Sequence, residues 1–208
     1  MAGAASVTAT ATERRLEFDV DLDGRPIGTH RYTVTGDPGS TAVVESEARF
    51  DVRVLGFSAY RYRHLATGRW TDGCLATLEA TTSDNGRELH VTGAMQDGRF
   101  VLERPAPSGT QAACLTDYAY WDRDRLLRQT VLLNPQTGTL DAVSFEPLGT
   151  EALAAKGGTV SAEHYRLHAA RFVIDLWYAP DGTWMRLVTT TETGRHLVYR
   201  RRGGSVQG

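Results

Sequence analysis

Three side chains in this sequence, His164, Asp175 and Tyr118, are the candidates for acid–base chemistry, and two of them sit in alternating stretches that limit what they can do. His164 invites a metal reading together with His168, four positions on. In an extended strand, however, four residues span about 13 Å, so the two imidazoles cannot grip one ion. The sequence has no His-Glu-x-x-His order and no Cys-x-x-Cys, so neither a metal nor a cofactor is expected. The glycines are scattered singly at turns, which removes a phosphate cradle. Gly56-Phe-Ser58-Ala-Tyr60 lacks the second glycine of a nucleophile elbow. Asp175 lies between Ile174 and Leu176 and shares its face with Val173 and Trp177. An acid there either pairs with a cation, with Arg166 or Arg186 in reach, or carries a raised pKa. His164 is a general base or a histidine satisfied within a sheet.

Aromatic residues carry a second kind of chemistry. Trp70, Tyr118, Tyr120, Trp121, Trp177, Tyr178 and Trp184 gather at strand ends and in the one irregular segment. Large rings around a concave surface with few polar groups suit an apolar or sugar-like ligand, and Trp70, Tyr118, Trp121, Trp177 and Tyr178 form the expected binding set. The alternative is that these rings simply make the core.

The elements that must hold these residues are strands. Asp23-Gly24, Asp72-Gly73, Asn85-Gly86, Asp97-Gly98, Thr137-Gly138, Asp181-Gly182 and Thr193-Gly194 punctuate the chain, and between most of them the side chains alternate apolar and polar. Residues 15–22 are the cleanest case, with Leu16, Phe18, Val20 and Leu22 opposite Arg15, Glu17, Asp19 and Asp21. Residues 27–35 return with His30, Tyr32 and Val34 on one face. The longest strands are predicted at 41–54 and 57–70, joined at Leu55-Gly56, with Ser46, Ala48, Phe50 and Val52 facing in and Tyr60, Tyr62 and His64 sharing a face. At about 3.3 Å per residue these exceed 40 Å and must coil. Strands are also expected at 74–82, 88–93, 99–104, 130–134, 139–147, 159–168, 172–178, 184–191 and 196–200. A break at 104–109 precedes the one predicted helix, residues 116–129, N-capped by Asp117 and placed as a lid or plug. The expected fold class is all-β: a single strongly curved antiparallel sheet or half-open β-barrel with one short helical or lid segment. Residues 1–14 read as a flexible arm, 15–201 as a single β domain and 202–208 as a tail.

With 208 residues, 41% hydrophobic and 23% charged, the chain has globular composition. Its net charge of −2 supplies no global field for nucleic acid, which is not an expected partner. Of 23 basic residues only Lys156 is lysine, and Arg200, Arg201 and Arg202 form the one basic cluster, read as a solvated strand end. No apolar run approaches the roughly 20 residues of a membrane-spanning helix. Cys74 and Cys114 are compatible with one disulfide or two buried thiols.

Several phrases carry a resemblance. Asp23-Gly-Arg-Pro-Ile-Gly28, Ala48-Arg-Phe-Asp-Val-Arg-Val-Leu55, Tyr60-Arg-Tyr-Arg-His64, Trp70-Thr-Asp-Gly73, Gln136-Thr-Gly138 and Asp175-Leu-Trp-Tyr178 followed by Asp181-Gly-Thr-Trp184 resemble a bacterial exported-protein family described as a domain of unknown function. The resemblance runs in order from Leu16 to Tyr199 and implies a periplasmic address with the export signal removed and a possible envelope association. It also implies a curved sheet similar to that of lipoprotein-localisation carriers. It assigns no residue a role. The resulting expectation is a periplasmic β protein that binds or carries a lipophilic small molecule in an apolar cavity. The alternatives are a barrel-type cyclase or isomerase using His164, Asp175 and Tyr118, and an envelope assembly factor using a strand edge.

Overall fold

The computed structural model describes residues 12–54, 57–104, 111–155 and 158–203. The expected turn at Leu55-Gly56, the break at residues 105–109, residues 1–11 of the arm and 204–208 of the tail lie outside them. The described chain is almost entirely strand: β1 (Glu13–Leu22), β2 (Arg25–Asp37), β3 (Thr41–Val54), β4 (Phe57–Thr71), β5 (Cys74–Asp84), β6 (Arg87–Gln96), β7 (Arg99–Arg104) and β8 (Gln111–Ala112). After one helical turn, α1 (Arg123–Leu126), come β9 (Val131–Leu133), β10 (Leu140–Ala155), β11 (Gly158–Ala169), β12 (Val173–Tyr178), β13 (Trp184–Thr190) and β14 (His196–Arg201).

All fourteen strands join one antiparallel sheet in the order β8-β7-β6-β5-β4-β3-β2-β1-β14-β13-β12-β11-β10-β9. The sheet is open, with β8 and β9 at its ends. Four of its hairpins turn on the pairs the sequence announced. Asp23, Asp72, Asn85 and Asp97 have φ near +50°, and the glycine after each is also left-handed. Two successive positive φ values define the type I′ turn whose twist matches that of the flanking strands.

Inward residues from strands far apart in the order meet in one core. Phe18 of β1 lies 4.1 Å from Trp184 of β13, centroid to centroid, and Tyr32 of β2 lies 5.7 Å from the same ring. The sheet therefore wraps round a common interior. The register explains why that interior is hollow rather than filled. One inward row runs Leu16, Tyr32, Ser46, Ala66, Ala80, Val91 from β1 to β6. The next runs Phe18, His30, Ala48, His64, Thr82. Large side chains sit toward one flank and small ones over β3 to β5, so the middle of the wall cannot fill the space it encloses.

Two sequence expectations are corrected. Strand β10 does not stop at Pro147 but continues to Ala155, because a register shift between Pro147 and Gly149 leaves Leu148 as an unpaired bulge residue. The bulge absorbs the missing proline N–H and the ladder resumes. The predicted helix over 116–129 is reduced to α1, and its N-cap is Asp122, whose carboxylate accepts from Arg125 N–H at 3.1 Å. Asp117 instead bridges Leu133 in parallel register, and Leu133 N–H donates to Thr116 O at 2.9 Å. Burial of Leu115, Tyr118, Ala119 and Trp121 inside the sheet holds this stretch in irregular form.

The segment is tied at both sides. A disulfide joins Cys74 to Cys114, settling the two alternatives left by the sequence, and Leu75 N–H donates to Leu115 O at 2.9 Å. It thus connects the start of β5 to β9, plugging the interior between the sheet's two ends.

Candidate functional site

A cavity of about 610 Å³ opens between the small-residue wall of β2 to β5 and the plug, within the range of small-molecule sites. Tyr32, Tyr118, Tyr120, Trp121, Phe172, Trp184 and Tyr199 present rings to it, and Val44, Ala66, Leu78, Ile174 and Leu187 add aliphatic surface. Asp84, Arg87, Arg171 and Glu192 are exposed residues of its lining. Among the polar side chains of the lining that are not exposed are His30, Ser46, His64 and Asp117.

The histidines come from the alternation itself, since parity along β2 and β4 turns both inward. His30 Nε2 is 2.8 Å from Ser46 Oγ, and its ring stacks on Tyr32 at 4.4 Å. His30 Nδ1 has no hydrogen-bond partner among the described residues. His64 Nδ1 is 2.9 Å from Thr82 Oγ1. Burial, reinforced at His30 by His64, presses the imidazole pKa values down to about 3 for His30 and about 4 for His64. Both rings are neutral at physiological pH.

Asp117 is shifted the other way. Burial raises its carboxyl to about 7, against a smaller lowering by its own backbone N–H, and its Oδ1 is buried without a hydrogen-bond partner. Burial likewise pushes the phenols of Tyr32, Tyr120 and Tyr199 upward. Among the described residues of the lining the only cationic side chains, Arg87 and Arg171, are exposed, and the one acid that is not exposed has its carboxyl raised to about 7.

The sequence-predicted residues divide between this cavity and other places. Tyr118 and Trp121 line it, with the Tyr118 hydroxyl donating to Asp141 at 2.8 Å. Trp70 is fully buried behind it, packed edge-on to Trp121 at 5.4 Å. Tyr178 is fully buried in the main core. Trp177 lies in a separate small cluster with Leu153 and Ala162, on the opposite face of the sheet.

His164 and Asp175 are on that outer face too. His164 stacks on Trp177 at 4.2 Å and bridges Glu151 at 2.7 Å and Asp175 at 3.2 Å. Arg166 holds Asp175 with two hydrogen bonds of 2.8 and 3.2 Å. Burial pushes the Asp175 carboxyl up, but Arg166 and His164 outweigh it and leave it below its usual value. Of the two alternatives for this acid, the cation pair holds. His168 has a separate partner, Glu146, at 3.2 Å. The structure therefore unites His164 with Asp175 and leaves Tyr118 apart. Arg200 and Arg202 of the basic cluster pair with Asp21 and Asp19 across the β1–β14 seam.

His30, His64 and Asp117 are the interior groups that the sequence did not single out. Parity had placed His30 on a face with Tyr32 and Val34 and His64 on a face with Tyr60 and Tyr62, whereas Asp117 had been spent on capping a helix.

Fold and cavity together define a barrel-like antiparallel β protein, one curved sheet around a plugged hollow. The chain belongs to the family described as domain of unknown function DUF6134, whose model matches residues 18–202. No curated protein matches it. Among solved structures it is similar to a β-barrel-like protein of the DUF1849 domain of unknown function from Brucella abortus. The TM-score is 0.67 at 11% identity, over 92% of this chain and 96% of that one. At that identity the likeness speaks for the fold alone.

Proposed function

We infer that this protein is a periplasmic binder or carrier of a lipophilic small molecule, held in the cavity between the sheet and the plug. The observation that carries the reading is the aromatic-lined hollow of about 610 Å³. A ligand burying roughly 300 Å² of apolar surface there would gain about 7 kcal/mol before ordering costs, so few polar anchors are required. The Cys74–Cys114 disulfide supports an oxidising compartment. His164 and Asp175 lie across the sheet wall from the cavity, out of reach of anything held inside, which favours binding over turnover by the residues the sequence offered.

The test is native mass spectrometry of the protein isolated from its own cell envelope, followed by solvent extraction of any adduct. A stoichiometric apolar molecule is the expected result. A bare mass that persists after incubation with envelope lipids would overturn the reading.

A further inference from the structure

The cavity's polar interior narrows the class of molecule it takes. Asp117 is half-buried, the one carboxyl of the lining that is not exposed, and its Oδ1 is buried without a hydrogen-bond partner among the described residues. Its backbone is fixed by the Leu133 bridge and by Ala119 N–H donating to Asp117 O at 2.7 Å, which holds its Cα at the wall of the hollow. A carboxyl buried for structural reasons is ordinarily satisfied by donors. Oδ1 of this one has no such donor.

The cationic side chains of the lining, Arg87 and Arg171, are both exposed, so an anionic head group drawn inside would meet an acid and no counter-charge. A positively charged nitrogen meets the opposite conditions. It pairs with the acid, offers N–H donors to the carboxylate and lies among the aromatic residues Tyr32, Tyr120, Trp121 and Trp184 of the lining, whose quadrupoles favour a cation.

We propose that the cavity takes an amphiphile with a protonated amine as its head group, the ammonium against the Asp117 carboxylate and the hydrocarbon along the Val44, Ala66, Leu78 and Ile174 surface. This rests on the lipid-binding reading above and names its ligand class.

The test compares three twelve-carbon probes, dodecylamine, dodecanol and dodecanoate, each below its micelle concentration, by titration calorimetry on the full chain at pH 7.5. Dodecylamine is expected to bind at least about tenfold tighter than dodecanol, with dodecanoate weakest. Asp117→Asn is expected to remove the amine's advantage over dodecanol. Equal binding of amine and alcohol, or an amine advantage that survives Asp117→Asn, overturns the head-group assignment while the cavity still binds chains. Failure of all three probes to bind overturns the cavity reading itself.

A measurement on the unaltered protein covers the case of a variant that does not fold. The amine advantage should shrink as pH falls from 8 to 5.5 and Asp117 takes up its proton, with dodecanol affinity flat; an advantage independent of pH overturns the proposal. The groups facing Asp117 do not blur this window. Tyr32, Tyr118, Tyr120 and Tyr199 are pushed above their usual range, and His30 and His64 are held down to about 3 and about 4. Asp84, Arg87, Arg171 and Glu192 are exposed, and Asp141 accepts the Tyr118 hydroxyl.

Discussion

Replacing Asp117 by asparagine should make the empty protein progressively more stable, relative to the unaltered chain, as pH rises. In the folded state burial raises the Asp117 carboxyl from 3.8 to about 7. Between those values the folded protein binds the proton and the unfolded chain does not, so the stabilisation present below pH 3.8 is lost as pH climbs through about 7. Integrating the two titrations, Asp117 costs about 2 kcal/mol at pH 5 and about 4 kcal/mol at pH 8, so the difference between the two is on the order of 2 kcal/mol. Asparagine does not titrate, so the fixed cost or gain of the substitution cancels when its stability difference from the unaltered protein is compared at the two pH values. Urea denaturation followed by tryptophan fluorescence at pH 5 and pH 8 measures this double difference. A difference below about 0.5 kcal/mol would refute the claim that burial raises this carboxyl. His30 and His64 act in the reverse sense, since depressed imidazole pKa values confer stability above 6.5 that is lost as pH falls toward 3 to 4. The unaltered protein is therefore expected to be most stable near about pH 6.5.

Three further outcomes follow from the packing. Reducing the Cys74–Cys114 disulfide, or replacing both cysteines by serine, releases a 40-residue loop and should cost about 4 kcal/mol in denaturation midpoint analysis, with the plug segment losing hydrogen-exchange protection first. Gly93→Ala places a Cβ 2.6 Å from the Phe100 ring and should destabilise by about 1–3 kcal/mol, readable in a thermal melt. Ala66→Phe projects a ring into the hollow from the middle of its wall, so it should abolish dodecanol uptake while leaving the circular dichroism spectrum unchanged.

Much of this molecule was legible because its local rules agree with one another. Each Asp-Gly or Asn-Gly pair with both residues at positive φ forms a two-residue hairpin, and period-two alternation turns Leu16, Phe18, Val20 and Ala48 inward as read and keeps His30 with Tyr32 on one face. The failures came where a local signal was outweighed from a distance. Pro147 breaks a strand in isolation, but the β11 ladder carries β10 past it through the Leu148 bulge. Asp117 followed by a polar and aromatic run resembles a helix start, yet the disulfide, the Leu133 bridge and burial of its rings in the hollow decide otherwise. The candidate site was legible in part for the same reason. Ring-bearing residues could be named from sequence, but whether Trp177 faces the hollow or the outside depends on strand parity one residue away from Tyr178. That Asp117 has no partner is a property of the assembled interior, invisible in any one segment.

The sheet order carries a kinetic consequence. Every ladder in it joins strands that are neighbours along the chain except one, the pairing of β1 with β14. Two long meanders, one running outward from β1 and the other inward to β14, can each zip up through short loops, whereas the seam between them must close a loop of nearly the whole chain. Formation of that seam is the step that turns two open ribbons into one enclosure, so the hollow comes into being last. Any substitution that weakens the five-residue β1–β14 register should slow assembly more than an equal loss elsewhere in the sheet.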